Sequence, residues 1–288
     1  MTSKTNSWKF RVRRVQNHLA TVLTVAAAII VISPLLAIFS DLVIRGAGAI
    51  NWAFLTHAPV AIGEKGGGIG NAIVGSGIIL GITSLIGVPL GIGAGIYLSE
   101  YGRNRLGDGV RFTADVLNGL PSIVVGISVY GLVVVTQHHF SAFAGGVALG
   151  IMMIPTVART TEEMLHMVPN TIREAALGLG VAQWRVTLSV TLRTATSGVI
   201  TGIMLAFARV AGETAPLLFT AFGNQFWTVK ANQPIAALPL QIFYYSISPY
   251  DEWHRMAWAG SLVLIIIIVG TFAIVRFVAN RGVLGGTA

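Results

Sequence analysis

Apolar residues gather in six long blocks, at 19–44, 70–98, 114–135, 143–158, 196–222 and 256–279, and polar residues collect between them. Crossing about 30 Å of hydrocarbon takes about 20 helical residues. Unbroken apolar runs of this length predict membrane-spanning helices, not strands or the one-sided helices of a water-soluble core. The second block is rich in glycine and carries Pro89, so a kinked or interrupted helix is expected there; membranes tolerate one where neighbours or a wet cavity satisfy the freed backbone groups. The fourth block is short and is expected to end near Pro155. The first is too long for the apolar core of a signal peptide and no A-x-A cleavage site follows it, so it is read as a retained helix.

Composition agrees with an all-α membrane protein of six transmembrane helices: 54% of the 288 residues are hydrophobic and 10% are charged, outside the range of soluble domains. The net charge of +8 would point to nucleic acid in a soluble chain. Its distribution says otherwise. With the N-terminus inside, 14 of the 19 basic residues fall on the cytoplasmic side: Lys4, Lys9, Arg11, Arg13, Arg14, Arg103, Arg105, Arg111, Arg159, Arg173, Arg185, Arg193, Arg276 and Arg281. Only Arg45, Lys65, Lys230 and Arg255 fall outside. This is the positive-inside pattern of an even number of spans with both termini cytoplasmic. The organisation expected is a basic cytoplasmic tail over residues 1–18, which gains about 1 kcal/mol per basic residue near anionic lipid, and a membrane domain over residues 19–282.

Several features are read as architecture. The pairs Gly77/Gly81, Gly91/Gly95, Gly146/Gly150 and Gly198/Gly202 have the small-xxx-small spacing that lets helix backbones approach closely in lipid. Gly66-Gly67-Gly68 is read as a flexible turn: the nucleotide-binding pattern GxxxxGK[ST] occurs nowhere, so this chain does not bind ATP by that route. Cysteine is absent, which excludes disulfides, thiolate metal sites and a cysteine nucleophile. His138, His139 and His166 lack spaced partners and are assigned no metal. The loop 223–255 carries Phe226, Trp227, Phe243, Tyr244, Tyr245, Tyr250 and Trp253. It reads either as an interfacial aromatic belt or as a docking surface for an extracytoplasmic partner.

Two segments carry chemistry. The cytoplasmic loop at 160–195 predicts a knob of two helices. Pro169-Asn170-Thr171 is a start signal, good helix formers follow through Leu177, glycines 178 and 180 break the helix, and a second amphipathic helix covers 184–192. The other segment is the fifth block, where Arg209 is the one basic residue in the middle of a predicted span. An arginine at mid-membrane costs about 2.5–3.5 kcal/mol even on lenient insertion scales. Glu213, four residues on, is positioned to pair with it on one helix face. That pair is read either as a structural ion pair or as part of an anion path. Guanidinium stays charged and offers a fork of donors that fits phosphate oxygens.

Glu174-Ala175-Ala176, three residues, Gly180, and later Val190-x-Leu192 resemble the EAA loop of ABC-importer membrane subunits. Val190 stands in place of isoleucine and Arg193 in place of the closing proline. Further strings resemble the A-type permeases of bacterial phosphate-specific transporters: Gly119-Leu120-Pro121-Ser122-Ile123-Val124, Arg159-Thr160-Thr161-Glu162, the run from Ala208 to Leu218 with Gly-Glu-Thr-Ala-Pro-Leu-Leu at its centre, and Asn224-Gln225-Phe226-Trp227. The resemblance implies a type I (MetI-like) permease fold and a multi-pass protein of the bacterial inner membrane. It implies no enzyme activity and no cofactor on this chain, with ATP and magnesium held by a partner. The partners implied are a homologous C-type permease subunit, an ATPase dimer and an extracytoplasmic phosphate-binding protein. Arg209, Glu213, Arg159 and Glu162 would lie along the translocation path, and Glu174, Ala175, Ala176 and Gly180 would dock the ATPase. An importer of molybdate or sulfate, an ion-coupled secondary transporter using Arg209, Glu213 and Glu162, and a phosphate sensor remain open at this point.

Overall fold

The computed structural model describes the backbone of residues 4–284 except 62 and 65, and side chains from residue 8 to residue 279 with the same two exceptions. Lys4, Lys65 and Arg281, used in assigning sidedness, lie outside the described side chains. Among the described residues there is no strand, only an isolated bridge between Phe222 and Ile235. Eleven helices suffice to describe the molecule: α1 (Lys4–Gly46), α2 (Trp52–Thr56), α3 (Gly70–Glu100), α4 (Arg105–Gly119), α5 (Ser122–Gln137), α6 (Ala142–His166), α7 (Asn170–Gly178), α8 (Gln183–Ala211), α9 (Ala215–Thr220), α10 (Leu238–Ser246) and α11 (Asp251–Leu284). Five are long and apolar enough to span a membrane, and the bent pair α4–α5 makes a sixth.

The centre is the packed pair α3 and α6. Glycine sets its closeness. A Cβ on Gly91 would stand 2.6 Å from Val157 Cβ, one on Gly95 2.5 Å from Thr161 Cβ, and one on Gly146 2.4 Å from the Ile82 side chain. The hydroxyl of Thr83 donates to the carbonyl of Gly146 at 3.2 Å. Gly198 and Gly202 bring α8 onto the other side of α6, against Met164 and Thr160. Three of the four glycine pairs thus pack inside the chain. Gly77 and Gly81 face open space. Replacing Gly95 by leucine is expected to lower the thermal midpoint of the purified permease sharply, because overpacking costs about 1–3 kcal/mol and both obstacles, Thr161 and the Ala158 carbonyl, sit on an inflexible helix. An unchanged midpoint would mean that the two helices are not in contact as described.

Three expectations need correction. α6 continues through Pro155 to His166, eight residues past the expected end; α3 carries Pro89 inside one continuous helix. The third block is not one rod: α4 and α5 meet at 104°. Gly119 ends the first, Pro121 confines Leu120 to extended backbone, and what remains apolar enough to span is α5. The fifth block is displaced: α8 starts at Gln183 and stops at Ala211. Arg193 stands where a proline would have separated knob from span, so the helix passes through, with one wide turn at Thr187–Thr191. From Lys4 onward the basic segment is helical. It forms one 43-residue helix with the first block, whose residues from Trp8 to Asp41 are all exposed.

Candidate translocation and coupling site

Helix C-termini leave backbone carbonyls without partners. In this chain an arginine of α4 answers those at the end of α3, and a second arginine joins it on one carboxylate of α6. Arg111, on α4, donates from Nη2 to Leu98 O and from Nη1 to Gly102 O, both at 2.9 Å, and from Nε to Glu162 Oε1 at 2.7 Å. Arg159 donates from Nη1 to the other oxygen of Glu162 at 3.1 Å, and from Nε and Nη2 to the two oxygens of Asp115 at 3.1 and 3.0 Å. Glu162 is therefore a buried carboxylate with one arginine on each oxygen. Burying such a charge is tolerable only with geometry of this completeness. Thr156 adds a bond from its hydroxyl to Asn118 at 3.1 Å, so α4 is fastened along α6 at three levels.

The sequence singled out Arg159 and Glu162, and the structure brings them together. It missed Arg111 and Asp115, which look like ordinary interfacial charge in a linear reading. The available signal was position: both lie on α4, with apolar residues on the opposite face.

Arg209 and Glu213 are not brought together. Arg209 occupies the last turn of α8, and the helix ends at Ala211. Beyond the end, four residues no longer means one turn, and no ion pair joins the two. The Gly-Glu-Thr string is the break itself, after which α9 packs on α5 with Pro216 against Gly126. Ser197, Thr201, Leu205 and Arg209, each four residues apart, form one exposed stripe, while Ala206 and Val210 are buried.

The knob forms with one change: α7 is its only separate helix. Gly180 holds φ +79°, with its amide donating to Leu177 O at 2.9 Å, a glycine-favouring termination. Glu174 and Ala175 are exposed, Ala176 is half-buried, and Leu177, Leu179 and Trp184 are exposed beside them. Leu179 at 84% exposure and Trp184 at 57% are costly in water.

At the opposite end, the loop after α9 lies across the starts of α3 and α6. Carbonyls of Ala231 and Gln233 accept from the amides of Phe143 and Ala142, and Asn224 O accepts from the Asn71 side chain at 2.9 Å. Tyr245 is buried against Trp253, with ring centres 5.2 Å apart, whereas Phe226 and Trp227 are exposed. A cavity of about 880 Å³ opens here, lined by Glu64, Gln225, Phe226, Tyr244, Tyr250 and Trp253.

A bundle of broken and unbroken spans with an exposed knob before the fifth is the architecture of a transport permease. Residues 87–282 match the model of the family described as binding-protein-dependent transport system inner membrane component, and the chain belongs to that family. The chain is 46% identical over 258 residues to the phosphate transport system permease protein PstA of Yersinia pestis, covering 89% of this chain and 88% of that protein. It is 44% identical to PstA of Haemophilus influenzae, with 92% and 95% covered. The chain is thus a member of the PstA permeases within that family, and a multi-pass inner-membrane protein. Among solved structures, the inward-facing MetNI methionine ABC transporter superposes with a TM-score of 0.59 at 17% identity, over 76% of this chain and 98% of that one. That likeness establishes the MetI-like fold.

Proposed function

We propose that this chain is a permease subunit of an ATP-driven importer of inorganic phosphate. Membership of the PstA permeases, carried over nine-tenths of the chain, supports it most. The geometry adds particulars. The exposed α7 with Glu174, Ala175, Ala176 and Gly180 serves as the coupling helix that enters a groove on an ATPase subunit, which carries ATP and magnesium. The charged end is the cytoplasmic end. The aromatic end, with its cavity, receives the phosphate-binding protein. The open glycine stripe of α3 and the hydroxyl-lined stripe of α8 that ends in Arg209 are left for the second, C-type permease and for the path between the two. ATP binding and hydrolysis would move α7 and shift the pair between outward-open and inward-open states.

The test is phosphate uptake, with sulfate and molybdate controls, in cells lacking the gene. Wild-type complementation should restore phosphate uptake alone. Recovery of another anion would reassign the substrate, and uptake indifferent to the gene would remove the importer reading. Glu174→Arg reverses charge at the centre of the coupling helix. The variant should insert normally yet lose the ATPase subunit on co-purification, with uptake at least tenfold lower. Retention of the ATPase would place docking elsewhere.

A further inference from the structure

One buried ion pair is not accounted for by docking or by the path. Arg173 precedes Glu174 on α7 but points the other way: successive residues on a helix lie about 100° apart, so Glu174 faces solvent and Arg173 faces the bundle. Its Nη1 stands 2.9 Å from Glu100 Oε1, in the last turn of α3, with the two side chains 17% and 8% exposed. Its Nη2 donates to Leu165 O, in the last turn of α6. One guanidinium thus joins the coupling helix to the C-termini of both central helices. Besides its covalent ends and this tie, α7 packs on residues 183–191 of α8.

We propose that Arg173 is a positioning residue that transmits movement of the coupling helix to α3 and α6 as one body. α7 has two outputs in this geometry. Through Gly180 it is linked covalently to α8; through Arg173 and Glu100 it is linked ionically to the α3–α6 pair. Because glycine contacts weld α3 to α6, a pull on either C-terminus moves both. Guanidinium suits the task, since its planar fork serves two acceptors on two helices while lysine offers a single point charge. The inference rests on the importer reading.

The experiment compares Arg173→Gln, Glu100→Gln and the double variant in the assembled complex, measuring phosphate uptake and ATP hydrolysed in the presence of phosphate-loaded binding protein. Each single variant should lower uptake at least tenfold while the second permease and the ATPase co-purify in wild-type proportion. ATP consumed per phosphate imported should rise about tenfold. The double variant should be no worse than either single one, as expected of residues acting as a unit. Uptake within twofold of wild type overturns the proposal. So does uptake that falls only in step with the amount of assembled complex at an unchanged ratio of ATP to phosphate, which marks a purely structural tie. If Arg173→Gln fails to accumulate, Arg173→Lys is read by the same ratio, with an intermediate rise expected and a wild-type ratio overturning the idea. Failure of the wild-type chain to restore phosphate uptake is a separate result, and it removes the importer reading beneath.

Discussion

Glu162→Gln is expected to destabilise the permease by roughly 3 kcal/mol, the lower part of the range for removing one partner of a buried ion pair. Two arginines converge on this carboxylate, at 2.7 and 3.1 Å. Without its charge they face each other across a site from which water is largely excluded at the carboxylate and only partly at the guanidinium groups. An amide keeps one acceptor and turns the other position into a donor aimed at an arginine, so the loss is greater than one hydrogen bond. Arg111 also caps Leu98 and Gly102. For that reason the double change Arg111→Met/Glu162→Leu should not recover stability, as hydrophobic replacement of a buried pair often does. The measurement is the thermal midpoint of the purified complex in one detergent. A Glu162→Gln protein that melts with wild type would mean that the lattice is solvated and inert.

Much of this fold was legible because membrane insertion is written in composition. Six apolar blocks correspond to six spans once α4–α5 is counted as one. The boundaries failed where a local breaker competed with tertiary support. Pro155 reads as an end, yet it lies inside a continuous helix packed along α3; Pro121, with Gly119 two residues before it, did break the chain. The candidate site divides in the same way. Arg159 with Glu162 is local, three residues apart, and was visible. Arg111 and Asp115 reach it from some fifty residues away, and Glu100 meets Arg173 across seventy-three. Such pairings depend on how helices cross, which periodicity does not encode. Arg209 shows the converse. Spacing placed Glu213 one turn ahead, but spacing has that meaning only while the helix lasts.

The end of α8 leads to the last effect expected on transport. Arg209 is exposed and has no acidic partner among the described residues. The negative end of the helix dipole offsets about 0.3–1 kcal/mol of its charge. The rest of the charge is answered by no carboxylate inside the chain, so the balance has to come from water or from an anion. Facing lipid, the residue would meet neither. Arg209→Gln should therefore leave the melting midpoint of the permease within a degree or two of wild type, since no bond inside the chain is lost. Phosphate uptake should nevertheless fall at least tenfold. Arg209→Lys, with its charge but without the fork, should fall between the two. Unaltered uptake in a correctly inserted Arg209→Gln protein would move the anion path off this face of α8. A lowered midpoint with uptake scaling to the surviving complex would instead make Arg209 an anchor for the second permease, its charge answered by an acidic group on that subunit.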